Sequence, residues 1–80
     1  MGKRSSWEIK AEILETCLQE PKTFTEILFK VRLLGGYYSK YVRELVEKGM
    51  LEVVFGKRYK TTQKGSDWLK LYNQLKQLEG

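Results

Sequence analysis

The chain's densest β-branched and aromatic stretch, Val53-Val54-Phe55-Gly56-Lys57-Arg58-Tyr59-Lys60-Thr61-Thr62, holds a turn signal at Gly56-Lys57. Residues Leu51–Phe55 and Arg58–Thr62 therefore read as two strands of one short hairpin with its turn at the glycine. The charge on this hairpin is unbalanced. Lys57, Arg58 and Lys60 fall within four positions, and no carboxylate follows until Asp67. One lysine protects an exposed strand edge against aggregation. Three cations without an acid exceed that need.

The remaining residues carry helical periodicity. Ser5 and Glu8 stand three apart as a capping box, followed by Trp7, Ala11, Leu14, Cys17 and Leu18 at helical spacing, with Ile13 widening the stripe. Pro21 disfavours the α conformation at residue 20, so this helix is expected over roughly 6–19. Thr23 and Glu26 form a second box, and Phe24, Ile27, Leu28 and Val31 recur at i, i+3, i+4 and i+7, which predicts a short helix over 24–32. The pair Gly35-Gly36 marks a tight turn or the first turn of the next helix, because each glycine costs about 1 kcal/mol in a helix interior. A third helix is expected from Gly36 to Lys48, stopped by Gly49 in a left-handed conformation. The last helix starts at about Thr62 as its cap and runs to about Leu78.

Eighty residues make one small domain, 1–80, with a core modest enough that a partner subunit would help it. No apolar run approaches the roughly 18 residues of a membrane span, and the start Met-Gly-Lys-Arg-Ser-Ser has no apolar segment behind it. The expectation is a soluble, cytoplasmic protein. Cys17 is the sole cysteine, so no intrachain disulfide forms, and its apolar neighbours mark it as core.

The element order is helix, helix, tight turn, helix, hairpin, helix, a mainly α chain in the winged helix-turn-helix arrangement α-α-α-β-β-α. The net charge of +5 is concentrated in its centre: residues 30–64 hold nine cations against three acids, and the remainder is slightly acidic. That is the electrostatic footprint of a polyanion-binding protein. On the third helix, Tyr38, Val42, Leu45 and Val46 gather on one side, which turns Tyr37, Lys40 and Arg43 outward, with Ser39 on the flank. A major groove admits one helix and is read mainly by its N-terminal half, where lysine and arginine can donate to guanine and hydroxyls can reach bases or phosphates. Glu44 and Glu47 share the outward side but lie toward the C-terminal half. The hairpin cations Lys57, Arg58 and Lys60 would neutralise flanking phosphates, and Arg58 could enter a narrow A·T-rich minor groove.

In the last helix Trp68, Leu71, Tyr72, Leu75 and Leu78 form a stripe, with Leu69 off it. Five large apolar residues over eleven positions exceed what one small domain would bury at its far end, so a helix from a second subunit is the expected cover. The alternative is that the stripe folds back over Trp7 and Leu14. With no His, one Asp and one apolar Cys, the chain lacks the groups that catalysis or zinc binding draws on. An enzyme, a metal site, a cofactor and a small-molecule ligand are not expected.

Pro21-Lys22-Thr23, Tyr41-Val42-Arg43-Glu44-Leu45-Val46-Glu47-Lys48-Gly49-Met50-Leu51 and Tyr59-Lys60-Thr61-Thr62-Gln63-Lys64-Gly65 resemble the small archaeal winged-helix DNA-binding proteins, the group that includes the ten-kilodalton Sulfolobus chromatin protein. The resemblance spans about residues 7–78 and implies nucleoid-associated DNA binding by a homodimer joined through the C-terminal helix, about 62–79. The chain departs from the pattern at Leu34, where the family usually has Ser, and at Thr61, where it usually has Leu.

Sequence therefore predicts a double-stranded DNA-binding protein, a transcription regulator or a chromatin component, with the third helix in the major groove and the wing on flanking backbone or minor groove. A winged-helix protein-docking module is the alternative. In that reading Phe29, Tyr37 and the terminal stripe form the partner surface.

Overall fold

The structure, a computed structural model, describes residues 6–31 and 35–79, excluding the side chains of residues 35–38 and 79. Its elements are α1 (Ser6–Thr16), α2 (Phe24–Val31), α3 (Gly35–Glu47), β1 (Leu51–Val54), β2 (Arg58–Thr61) and α4 (Gln63–Glu79), the α-α-α-β-β-α order that the periodicity predicts. Ser5 and the residues at 32–34 lie outside the described chain, and with them the first capping box and the departure at Leu34.

The core is built where α1, α2, α3 and the base of the hairpin meet. Ile13 and Leu14 of α1, Ile27 of α2, Leu45 of α3 and Leu51 of β1 are the largest fully buried side chains. An ion pair at its rim ties α1 to α3, with Lys10 Nζ 2.9 Å from Glu44 Oε2. Glu44, one of the two acids assigned to the outward side of α3, is thus turned toward α1. Its carboxyl is held below its ordinary value by hydrogen bonds from Lys10 and Lys48.

The helix ends follow local chemistry. The Thr23–Glu26 capping box forms: the Thr23 N–H donates to Glu26 Oε1 at 2.9 Å, and the Glu26 N–H donates to Thr23 Oγ1 at 3.2 Å. Beyond α3, Gly49 takes φ 79°. There the Met50 N–H reaches the Leu45 carbonyl at 2.9 Å and the Gly49 N–H reaches the Val46 carbonyl at 3.0 Å. This is a Schellman stop, which glycine favours because it accepts positive φ without a Cβ penalty. Thr62 caps α4, accepting the Gly65 N–H on its hydroxyl at 3.2 Å.

Helix α1 is shorter than Pro21 alone predicts. It ends at Thr16 because β2 takes the carbonyls that further helical turns would use. The Thr61 hydroxyl donates to the Leu14 carbonyl at 2.7 Å, and the Thr61 N–H donates to the Cys17 carbonyl at 3.1 Å. Lys60 Nζ donates to the Leu18 carbonyl at 2.9 Å. The Leu18 N–H then bonds the Glu15 carbonyl, one residue short of the α-helical partner. Cys17, just past this end, is fully buried, and burial raises its thiol from 9.0 to about 11, against the opposing pull of Lys22 and Lys60. A thiol so held is a weak nucleophile.

The hairpin pairs Leu51 with Thr61, Glu52 with Lys60, Val53 with Tyr59 and Val54 with Arg58. Each strand is one residue shorter than predicted. Phe55 belongs to a three-residue turn, in which Gly56 (φ 78°) and Lys57 (φ 57°) are both left-handed. Lys22 joins the sheet through a bridge to Tyr59, with N–H···O distances of 3.0 and 2.7 Å, so the outer side of β2 is partly paired.

Helix α4 seats differently from the stripe reading. Leu69, placed off the stripe, is the α4 side chain buried in the core, and Gly65 one turn earlier is buried with it. A Cβ at Gly65 would lie 2.4 Å from the Met50 carbonyl oxygen, so the helix can approach the start of β1 this closely only at a glycine. Residues 73–78 are all exposed, and the second half of the helix leaves the core.

Candidate nucleic-acid interface

Helix α3 and the hairpin stand side by side. They border a cleft of about 280 Å³ lined on the helix by Ser39, Val42, Arg43, Val46 and Glu47 and on the wing by Val53 and Tyr59. Val42 and Leu45 anchor the helix in the core, which fixes Ser39, Lys40 and Arg43 on its exposed side. Tyr37 lies in α3, but its side chain is outside the described residues.

The seven residues singled out from sequence fall into different settings. Ser39, Lys40 and Arg43 are exposed on one helix, within its first nine residues. Lys57 is exposed at the hairpin tip. Among the described residues Lys40, Arg43 and Lys57 make no ion pair. Their ammonium and guanidinium groups are therefore available to an external anion. Arg58 is exposed but partly matched, with Nη1 3.6 Å from Glu26 Oε1. Glu26 is held below its ordinary value first by the Thr23 backbone N–H, with Arg58 and Lys22 adding to that. Lys60 is not at the tip. It sits half-buried at the base of the wing with its ammonium on the Leu18 carbonyl, so it braces the hairpin against α1.

Glu47 lines the α3–wing cleft, and Glu52 is exposed on β1. A broader hollow between α1 and α2 is lined by Glu15, Glu20 and Glu26 as well as Lys22 and Lys30. Among the described residues no group of three or more His, Cys, Asp or Glu is placed to hold a metal ion. None of the described helices is long and apolar enough to cross a membrane.

Away from this cleft lies an apolar face. Trp68 stacks on Tyr72 with ring centroids 5.3 Å apart and leans on Trp7 at 5.8 Å. Leu71 and Leu75 border the same rings, and Leu71 and the more distant Leu78 remain 66% and 85% exposed. Trp7, expected in the core stripe of α1, is 55% exposed and extends this face, while Ala11, Leu14 and Cys17 of the same stripe are buried together with Ile9 and Ile13. The fold-back of α4 thus happens only in its first half: Trp68 reaches Trp7, while Leu75 and Leu78 stay uncovered. Sequence also missed Phe55 as a tip residue, since a β-branched run gives no sign of where its turn begins.

A sequence profile of winged helix-turn-helix proteins matches residues 3–80. Among solved structures the chain is similar to Sso10a-2, a DNA-binding protein from Sulfolobus solfataricus, with a TM-score of 0.83 and 23% identity over 95% of this chain and 82% of that one. No curated protein matches the chain by sequence. The likeness to Sso10a-2 is one of fold, and it agrees with the resemblance carried by the third-helix and wing-end motifs. Covered by the profile from residue 3 to residue 80 and built in the α-α-α-β-β-α order, the chain belongs to the winged helix-turn-helix family.

Proposed function

We propose that the chain binds double-stranded DNA as a homodimer, one winged-helix domain per subunit. Helix α3 lies in the major groove, with Lys40 and Arg43 as anchors and Tyr37 and Ser39 in support. Lys57 and Arg58 hold the flanking backbone, and Lys60 holds the wing itself in place. The observation that carries this reading is a set of three exposed cations with no ion pair among the described residues, Lys40 and Arg43 on α3 and Lys57 at the tip of the adjacent wing. Sso10a-2, whose fold the chain shares, is itself a DNA-binding protein.

The exposed apolar face of α4 supports the dimer. Its leucines lie on a helix half that leaves its own core, as expected for a surface that a second copy covers. The spacing of the two α3 helices would then set the separation of two half-sites, near one helical turn of about 10 bp. A regulator would prefer its site to random DNA by roughly 10³ or more, and a chromatin protein would not.

The test is a pair of single substitutions measured on a panel of duplexes. Lys57→Ala should weaken binding to all sequences alike, and Arg43→Ala should change the preference among them. Equal, unselective losses would contradict the division between helix and wing. Unchanged binding by both would contradict the interface altogether.

A further inference from the structure

The wing ends on an aromatic ring that its own fold leaves bare. Phe55 is 97% exposed at the first position of the hairpin turn. Single exposed apolar residues are ordinary on protein surfaces, so exposure alone means little. The surroundings of the ring give it meaning. Two residues along the same turn stands Lys57, with no ion-pair partner among the described residues, then Arg58 at the start of β2, exposed and only loosely matched by Glu26 at 3.6 Å, and no acid lies within the turn.

Strand alternation puts Leu51 and Val53 on one face of β1. Leu51 is buried in the core, and Val53 with its cross-strand partner Tyr59 lines the cleft shared with α3. The wing thus carries apolar groups toward α3 and then a free ring at its tip. The two left-handed residues behind Phe55 fix the turn. Gly56 at φ 78° holds a conformation that other residue types rarely adopt.

A partner that accepts this tip must take an aromatic ring and two cations within four residues. An apolar protein pocket accepts the ring but desolvates the cations at a cost. A duplex accepts both, since stacked bases offer π-faces and the phosphates beside them offer charge. Resting on the DNA-binding reading above, we propose that Phe55 is a base-stacking wedge. With α3 in the major groove, the Phe55 ring enters the neighbouring minor groove and partly unstacks one base step, while Lys57 and Arg58 hold the phosphates on either side. Apolar side chains inserted in this way kink the duplex toward the major groove. The insertion is easiest at TA and CA/TG steps, which unstack at the lowest cost, so the wing selects sequence through deformability without reading a base edge.

The experiment uses duplexes of about 30 bp with 2-aminopurine placed in successive TA steps, read by fluorescence for unstacking and by anisotropy for binding. The wild-type protein should bind and brighten the probe at one or two positions per half-site. Phe55→Ala should still bind, because the phosphate-neutralising cations are intact, and should lose the brightening. Phe55→Leu should keep most of it, since leucine also serves as a wedge. Both variants should melt with the parent, the exposed ring having little packing to lose. Wild-type binding without brightening at any position, or brightening that persists in Phe55→Ala, overturns the wedge and leaves DNA binding standing. Absence of wild-type binding overturns the DNA reading itself, and the wedge with it.

Discussion

The Thr61 hydroxyl donates a 2.7 Å hydrogen bond to the Leu14 carbonyl, joining the end of the wing to the end of α1 across 47 positions of sequence. Both groups are buried, so neither can turn to water if the other is lost. The bond also accounts for a threonine where the family usually has leucine: here the position caps a helix end. We predict that Thr61→Val, nearly equal in volume, destabilises the fold by about 1–3 kcal/mol, the cost of a stranded buried carbonyl. In a domain of this size that lowers Tm by roughly 4–8 °C for each kcal/mol. A Thr61→Val variant that melts with the parent would show the carbonyl satisfied by other means.

Gly65 allows α4 to close against the turn after α3. A Cβ there would meet the Met50 carbonyl oxygen at 2.4 Å and Thr61 Cγ2 at 2.8 Å. The carbonyl already accepts the Thr62 N–H and cannot move freely. Gly65→Ala gains about 1 kcal/mol of helix propensity, but the backbone clash should dominate with a net loss of about 1–3 kcal/mol. Urea denaturation checks the sign, and a more stable Gly65→Ala protein would refute the close approach.

Acid should loosen the molecule through Glu26 and Glu44. Both carboxyls lie below their ordinary value of 4.5, the first through the Thr23 backbone N–H and the second through hydrogen bonds from Lys10 and Lys48. A lowered folded-state value means that the stabilisation is present above the unfolded value and disappears as pH falls through the folded one. Thermal melts from about pH 6 down to about pH 3 should therefore show a falling Tm. Glu44→Gln should start lower at the upper end of that range and fall less. A parallel fall in both proteins would remove Glu44 as a source of the acid sensitivity.

The uncovered leucines of α4 can be charged without touching the core. Leu71→Glu with Leu75→Glu should leave circular dichroism unchanged and convert a species of twice the chain mass into a monomer in sedimentation equilibrium. By mass action, the DNA affinity of this variant should drop through the loss of paired half-sites, with each α3 intact. A parent protein that is already monomeric at micromolar concentrations would rule out the dimer.

The features legible in the sequence are those set by neighbours along the chain. The Thr23–Glu26 box, the Gly49 stop and the Thr62 cap each need only a few adjacent residues, and each forms. What could not be read depends on partners far away. Helix α1 stops at Thr16 because residues 60 and 61 take its last carbonyls, and Lys60 is drawn to the base of the wing by the same arrangement. The spacing of Trp68, Leu71, Tyr72, Leu75 and Leu78 groups them correctly on a face, yet periodicity cannot say which face meets the core. Trp68 and Tyr72 at one edge of that face pack against the core, and Gly65 lets α4 approach closely on the side where Leu69 is buried. The cations of α3 are placed by the core stripe opposite them, whereas the Arg58–Glu26 contact needs the fold.

The most direct test of DNA binding is the salt dependence of affinity for a labelled random-sequence duplex of about 30 bp, followed by fluorescence anisotropy from roughly 50 to 300 mM salt. Each phosphate neutralised by Lys40, Arg43, Lys57 or Arg58 releases condensed counterions, so two subunits should give a log–log slope of about −4 to −8. Binding with that slope is the predicted result. No binding at the lowest salt, or an affinity indifferent to salt, would contradict the proposal and leave the protein-docking reading in its place.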